Sequence, residues 1–566
     1  MLTSRMMTNR QRTDTRVRQI SGGAVWNVGG SSAASDTVLA VSNGNGGLLG
    51  SGTNAPLYTS MFLSRSDPDA EREAYERRIA LALNIGQVNR ILDYSRLSST
   101  PASTRQSGHI WKDSAWIRDG VSKLLDAPQL RDDYYCSILA YSHNAKRLAV
   151  GLGNYVHLWS EQSGVDTPES LNLLSSTTLA DTQHVTSLSF SSSNGGQAIL
   201  AVARADGRVA LWSPFESEPR FNATQPKPIS CVAFKPVTVK KPSLRDDAMT
   251  VATEELLVGD EVGHIYLYSI EWPTETESAV FGWNGAITLL ARIEVHCQQI
   301  CGLAWTPDGE FFASGGNNNA CYLFETRNVL RNPNSGDIPS GTVTVRQGPD
   351  GESIYAIATG HNSVRQVPST QAKHRWELNA AVKAIAFCPW QRGLLAIGGG
   401  SNDRCIHFYH TMSGACLATI DCAAQVTALI WSQTRREIAA TFGFAQPEHP
   451  FRIAVFAWPT CEQIIAVPWF DESRALYAIP YPGSPVADTT DDVGPRNSGD
   501  RSPGCRRGIA GAEGCIVVAA SDAAIRFHEI WTGGKIGVGN AVGMLGGSDV
   551  LESLQGIERE GRSTIR

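Results

Sequence analysis

"VKAIAFCPWQRGLLAIGGGSNDRCIHFYH", Val382 to His410, packs three short apolar bursts between turn residues. Runs of this length bounded by Gly, Pro, Asn and Asp read as strands joined by tight turns. The unit recurs along the chain. Its first strand returns as SILAYS at 137–142, VTSLSFS at 185–191, ISCVAFK at 229–235 and ICGLAWT at 300–306. It returns again as VTALIWS at 426–432 and ALYAIPY at 475–481. Each copy is followed by a second and third strand around a turn, as in RLAVGLGNYVHLW (147–159), ILAVARADGRVALW (199–212) and FFASGGNNNACYLF (311–324).

Four of the spacings lie near the roughly 40–45 residues of a four-stranded propeller blade. A single sheet cannot cover its own faces, whereas sheets packed radially bury both faces and leave only short edges. The seven copies therefore predict an all-β fold, a seven-bladed WD-repeat β-propeller over 123–535. Ala149, Ala201, Ala313 and Ala396 suit a crowded region near the axis, and Trp159, Trp212, Tyr268 and Phe324 suit wedges between blades. The stretches 236–254, 328–377 and 483–513 read as polar loop insertions.

The flanks differ in composition. Residues 1–66, rich in Gly, Ser, Asn and Thr, read as a disordered N-terminal arm. An acidic first turn after Asp67-Pro68 predicts a short helix to about Tyr94, followed by a polar linker to 122 that holds Trp111 and Trp116. Residues 536–566 read as a flexible C-terminal tail.

Composition excludes several functions. A net charge of −6 over 566 residues gives no basic excess for general nucleic-acid binding. The twelve cysteines include no Cys-x-x-Cys pair; Cys297 and Cys301 lie beside His296, but no second ligand pair follows. Free buried thiols in a reducing compartment are expected, with no metal site and no cofactor. No apolar run reaches the length of a membrane span, and the N-terminus lacks the apolar core of a signal peptide. Nucleus and cytoplasm are the expected locations. No nucleophile elbow, phosphate loop or metalloprotease helix motif is present. The chain reads as a docking surface and not an enzyme.

Three stretches carry a family resemblance. KLLDAPQLRDDYYCSILAYS (Lys123 to Ser142), HCQQICGLAWTPDGEFFASGGNNN (His296 to Asn319) and the stretch quoted first resemble the propeller of Fizzy and Fizzy-related proteins. AVWNVGG, Ala24 to Gly30, resembles the fungal meiosis-specific branch of that family. The resemblance implies a substrate-recruiting activator of the anaphase-promoting complex, a ubiquitin ligase. Such a protein binds degrons on its propeller and transfers no ubiquitin itself. Its partners would be ligase subunits and degron-bearing proteins, with no nucleic acid and no membrane. The alternative is a WD-repeat scaffold of another complex.

The resemblance also implies site residues. Ligase docking falls on the terminal Ile565 and Arg566, and on Arg18 and Ile20 in VRQISGG, where Val17, Gln19 and Ser21 depart from the family motif. An Arg-x-x-Leu degron would meet Asp133 and Asp522, although Ala523 stands where the family has Glu. A Lys-Glu-Asn degron would meet Asn317, Asn319, Ser401, Gln425 and Arg474. The chemistry is consistent: a guanidinium for the ligand's Glu, and amides and a hydroxyl for its Asn.

Overall fold

A computed structural model describes residues 41–42, 48–49, 55–63, 109–112, 115–118, 121–174, 183–246, 248–330, 342–347, 353–358, 364–445, 448–469, 472–482 and 514–531. Within each repeat the first three strands pair antiparallel in chain order, and a fourth strand adds at the rim. In the stretch that decides the fold, Val382–Phe387, Leu394–Gly399, Cys405–His410 and Cys416–Asp421 form one such sheet. Ala386 pairs with Ala396, Ala396 with Phe408, and Phe408 with Ala418, so one large ring lies between small side chains on this row.

Seven sheets of this kind make the propeller. Blades 1 to 6 start their innermost strands at Leu139, Val185, Ile229, Ile300, Val382 and Ala424. Blade 7 takes three strands from Ala475–Tyr481, Cys515–Ala520 and Ala524–Glu529, and its rim strand, Val121–Asp126, from before blade 1. One sheet built from two distant segments closes the ring without a free inner edge. Ala149, Ala201, Ala313 and Ala396 are fully buried, and the wedge positions Trp159, Trp212, Tyr268 and Phe324 are buried too.

Neighbouring blades are tied at their inner strands. Trp305 Nε1 donates to the Ala233 carbonyl at 3.1 Å, and Trp431 Nε1 to the Ala386 carbonyl at 3.1 Å. Ser187 and Ser189 accept the backbone N–H groups of Val232 and Phe234 at 3.1 and 3.0 Å. A Cβ at Gly302 would overlap the Lys383 carbonyl oxygen, so only glycine lets blades 4 and 5 approach this closely. Lys383 sits where the inner strands converge. Its Nζ donates to the carbonyls of Cys136 at 2.9 Å and Leu476 at 3.2 Å, between the rings of Tyr134 and Tyr477. One side chain of blade 5 thus reaches the approach to blade 1 and the inner strand of blade 7.

Several expectations for the flanks and insertions change. Within the supposed disordered arm, Leu57–Thr59 pairs parallel with Cys416–Asp421 of blade 5, and Phe62 stacks on Phe451 with centroids 4.9 Å apart. The linker to 122 contains the hairpin His109–Lys112 and Ala115–Arg118, added to the rim of blade 6. The ring begins at Val121 and not at 123. The 236–254 stretch is no loop: Val239–Pro242 pairs with Thr250–Asp260, and buried Glu255 ties Lys235 and Lys241 at 2.9 and 2.6 Å. The 328–377 stretch holds the rim strand of blade 4, His374–Glu377, and a strand, Arg365–Pro368, parallel to the rim of blade 3. The expected helix after Asp67, the 483–513 insertion and the C-terminal tail lie outside the described residues.

Burial pulls the Lys383 ammonium down to about 8, against which nearby thiols and Asp133 act only in part. A depressed lysine binds fewer protons folded than unfolded, so its contribution to stability rises between about pH 8 and the free-lysine value near 10.4. Lys383→Met removes that contribution. The stability difference, wild type minus variant, should become more favourable to wild type from pH 7.5 to pH 10 in chemical denaturation. Parallel profiles would show that the lysine is solvated and no axial tie.

Candidate functional site

Antiparallel pairing brings the start of each inner strand and the turn between second and third strands to the same end of the blade. Asn317 and Asn319 lie in the turn after Phe311–Gly316, Ser401 in the turn after Leu394–Gly399, and Asp522 in the turn after Cys515–Ala520. Gln425 opens the inner strand of blade 6, Arg474 directly precedes that of blade 7, and Asp133 precedes that of blade 1. All seven sequence-predicted peptide-binding residues therefore share one end of the propeller. Arg18, Ile20, Ile565 and Arg566 lie outside the described residues.

The segment Ala127 to Cys136, which joins the rim of blade 7 to blade 1, runs over this end. The Arg474 guanidinium pairs with Asp132, and the Tyr135 hydroxyl donates to Asn317 Oδ1 at 2.9 Å. Two of the candidate residues, from blades 7 and 4, are thus held by one segment. The backbone of Arg474 is fixed as well: its N–H donates to Ser521 Oγ at 2.9 Å, and its carbonyl accepts from Ser521 N–H at 3.0 Å.

The two acids assigned to the Arg-x-x-Leu degron have local duties. Asp133 Oδ1 accepts the Tyr135 N–H at 2.9 Å, and its other oxygen lies 3.5 Å from the Cys136 thiol. Asp522 Oδ2 accepts from Arg526 Nη2 at 2.5 Å; that guanidinium also covers the Trp469 ring and donates to Ser473 Oγ at 3.1 Å. Ala523 adopts a left-handed backbone, φ 59°, and its carbonyl accepts the Ala127 N–H at 2.8 Å.

The remaining positions are turn residues. Asn319 has φ 64°, a conformation amides tolerate better than most side chains, and its carbonyl accepts the Leu378 N–H at 2.8 Å. Gln425 Oε1 accepts from the backbone of Phe444 at 3.4 Å, and the Phe444 ring itself is exposed. Beneath Ser401, the Gly400 carbonyl accepts the N–H groups of Asp403 and Arg404 at 3.1 and 2.9 Å. Asp403 Oδ2 meets His407 Nε2 at 2.8 Å, both groups almost wholly buried. Burial works against the His407 cation, but the Asp403 charge and hydrogen bond outweigh it and push the ring up to about 9.

Sequence reading missed Asp132, Tyr135 and Glu261. Glu261 lies in the corresponding turn of blade 3; burial raises its carboxyl, His184 acts the other way, and Asp260 and Asp133 add to the rise. The Asp-Asp-Tyr-Tyr run was visible in the sequence, but its partners lie 342 and 182 residues away. No spacing rule connects them. His296, grouped earlier with Cys297 and Cys301, bonds Asn318 Oδ1 at 2.7 Å and Ser314 Oγ at 3.0 Å inside blade 4.

This constellation sits on a WD-repeat propeller, and the WD domain, G-beta repeat family matches residues 287–325, from the rim of blade 3 through the third strand of blade 4. The chain is similar to fizzy-related proteins, fungal meiotic ones among them. It is 29% identical to Meiotic fizzy-related protein 2 of Schizosaccharomyces pombe, over 82% of this chain and 74% of that protein. It is 28% identical to Meiosis-specific APC/C activator protein AMA1 of Saccharomyces cerevisiae, over 78% of this chain and 63% of that one. An uncharacterized WD repeat-containing protein of Schizosaccharomyces pombe is 29% identical over 87% of this chain and 78% of its own length.

The Ser401 turn depends on the buried Asp403–His407 pair. Removing one partner of such a pair typically costs about 3–5 kcal/mol, because the other is left unpaired. Asp403→Ala should lower the melting temperature at pH 7 by several degrees, while Ser401→Ala leaves it unchanged. Equal melting temperatures for wild type and Asp403→Ala would show that the turn stands without the pair.

Proposed function

We propose that the chain recruits substrates to the anaphase-promoting complex and stimulates their ubiquitination, reading a Lys-Glu-Asn peptide over the propeller axis. The observation that carries this reading is the convergence of Asn317 and Arg474 on the segment that crosses one end of the ring. It is supported by homologues that are activators or cofactors of that ligase. A guanidinium suits the ligand's Glu, while Asn317, Asn319, Ser401 and Gln425 offer the mixed donors and acceptors a terminal amide needs. The chain works by docking and not by catalysis, in nucleus and cytoplasm. Docking to the ligase uses Ile565 and Arg566, with Arg18 and Ile20 as a second, weaker contact; linkage of the two on one chain raises their joint affinity.

Arg-x-x-Leu degrons are read weakly. Asp133 and Asp522 both serve local hydrogen bonds, and Ala523 supplies no carboxylate. A directional Arg–carboxylate pair loses much of its strength when the acid already has a partner.

Ubiquitination by the purified ligase tests the main reading. Arg474→Ala should abolish modification of a Lys-Glu-Asn substrate. Asn319→Gly, which keeps the left-handed backbone and removes the amide, should reduce it several-fold; full activity of both variants would refute the site. Deleting Ile565 and Arg566 should weaken co-purification with the ligase, and unchanged co-purification would favour a scaffold of another complex.

Ala523→Glu should tighten binding of an Arg-x-x-Leu peptide about fivefold, the effect of one half-exposed ion pair near 1 kcal/mol. Unaltered affinity in a fluorescence-anisotropy titration would mean that Ala523 is not where a carboxylate is missing.

A further inference from the structure

The peptide end is occupied at rest by the chain's own charges. Asp132 of the crossing segment and Arg474 at the head of blade 7 form a pair with 45% and 37% of their side chains exposed, so the pair opens directly to solvent. Three residues on, Tyr135 bonds Asn317, and the segment between them is fastened by Asp133 to the Tyr135 N–H. The Asp132 carboxylate thus lies where a ligand glutamate would meet Arg474.

Resting on the reading of this end as a Lys-Glu-Asn site, we propose that Asp132 is its lysine-specificity residue. It holds Arg474 in the empty protein and is released to the degron lysine when the degron glutamate takes the guanidinium. The exchange opens one ion pair and makes two. A ligand with glutamate but no lysine breaks one pair to form one and gains little. A ligand with lysine but no glutamate must compete with Arg474 for the same carboxylate. Neither charge alone binds well, so the site reads the adjacent lysine and glutamate as a unit. This is discrimination by an unfavourable step built into the receptor, which wrong ligands cannot offset.

Asp133 is the obvious rival acceptor, since it neighbours Asp132. Its carboxylate is committed to the turn, one oxygen on the Tyr135 N–H and the other against the Cys136 thiol. Asp132 has its contact with Arg474 at the surface and can change partners without disturbing the backbone.

Anisotropy titrations of the full chain test the proposal with dye-labelled peptides carrying Lys-Glu-Asn, Ala-Glu-Asn and Lys-Ala-Asn. The receptors are wild type, Asp132→Asn and Asp133→Asn, each checked by its melting temperature. On wild type, loss of the lysine should weaken binding about fivefold, as for one half-exposed ion pair. On Asp132→Asn that penalty should vanish, and the Ala-Glu-Asn peptide should bind more tightly than it does to wild type. On Asp133→Asn the lysine penalty should persist. A lysine penalty that survives in Asp132→Asn, or that disappears in Asp133→Asn instead, overturns the proposal alone. Failure of the Lys-Glu-Asn peptide to bind wild type overturns the proposal together with the site it rests on.

Discussion

Closure of the ring is the constraint on which this molecule depends. Seven twisted sheets leave one seam, and here it is sealed by Val121–Asp126, which completes blade 7 from the N-terminal side. That strand fixes more than the ring. Immediately after it the chain must travel from the rim of blade 7 to the inner strand of blade 1, and the route crosses the loop-bearing end. The Ala127 N–H anchors the crossing to the Ala523 carbonyl at 2.8 Å. Asp132, Asp133 and Tyr135 are carried over the axis as a consequence. Closure and the candidate site are thus one piece of covalent geometry: a change that frays the seam also withdraws the segment that sets Arg474 and Asn317.

Below this end, the inner strands converge and room runs out. Alanines and glycines relieve the crowding, but backbone carbonyls facing the axis still need partners. Lys383 supplies two of them from a single ammonium. Burying that charge is costly, and the depressed proton affinity of the group records the cost. The aromatic faces of Tyr134 and Tyr477 offset part of it. Methionine would fill the same space but leave both carbonyls unmet. The lysine therefore serves geometry at the expense of solvation, as buried polar groups with a positional role commonly do.

The inner three strands of every blade were legible because each is an apolar run bounded by turn residues and repeated seven times. The rim strands of blades 4 and 1 were not: His374–Glu377 reads HRWE and Gly164–Asp166 reads GVD, short and polar. The strap at Leu57–Thr59 was equally silent, since it pairs with the distant rim of blade 5, and so was the hairpin at His109–Arg118, which pairs within itself and joins the distant rim of blade 6. Among the site residues, turn positions could be placed by matching motifs, but their engagements could not. Asp522 reads as a turn residue as readily as a ligand for arginine, and its pairing with Arg526, stacked on Trp469, gives the carboxylate a structural task. Asp132 looked like half of a doublet until the fold set it against Arg474.

These engagements bear on which peptide the propeller favours. In the groove between blades 7 and 1, Asp133 is committed to a backbone N–H and Asp522 to Arg526, and Ala523 adds no charge. A ligand arginine there would have to win a carboxylate from a backbone N–H or from Arg526, and each contest returns the energy of one hydrogen-bonded charge for the loss of another. Over the axis the contest is different, because the resting pair consists of two opposite charges at the surface. A ligand that presents both signs replaces each partner in kind, and opening the pair leaves no buried group unsatisfied. The balance of recognition therefore moves from the groove to the axis, through the physical difference between charges already committed to the backbone and charges committed only to each other.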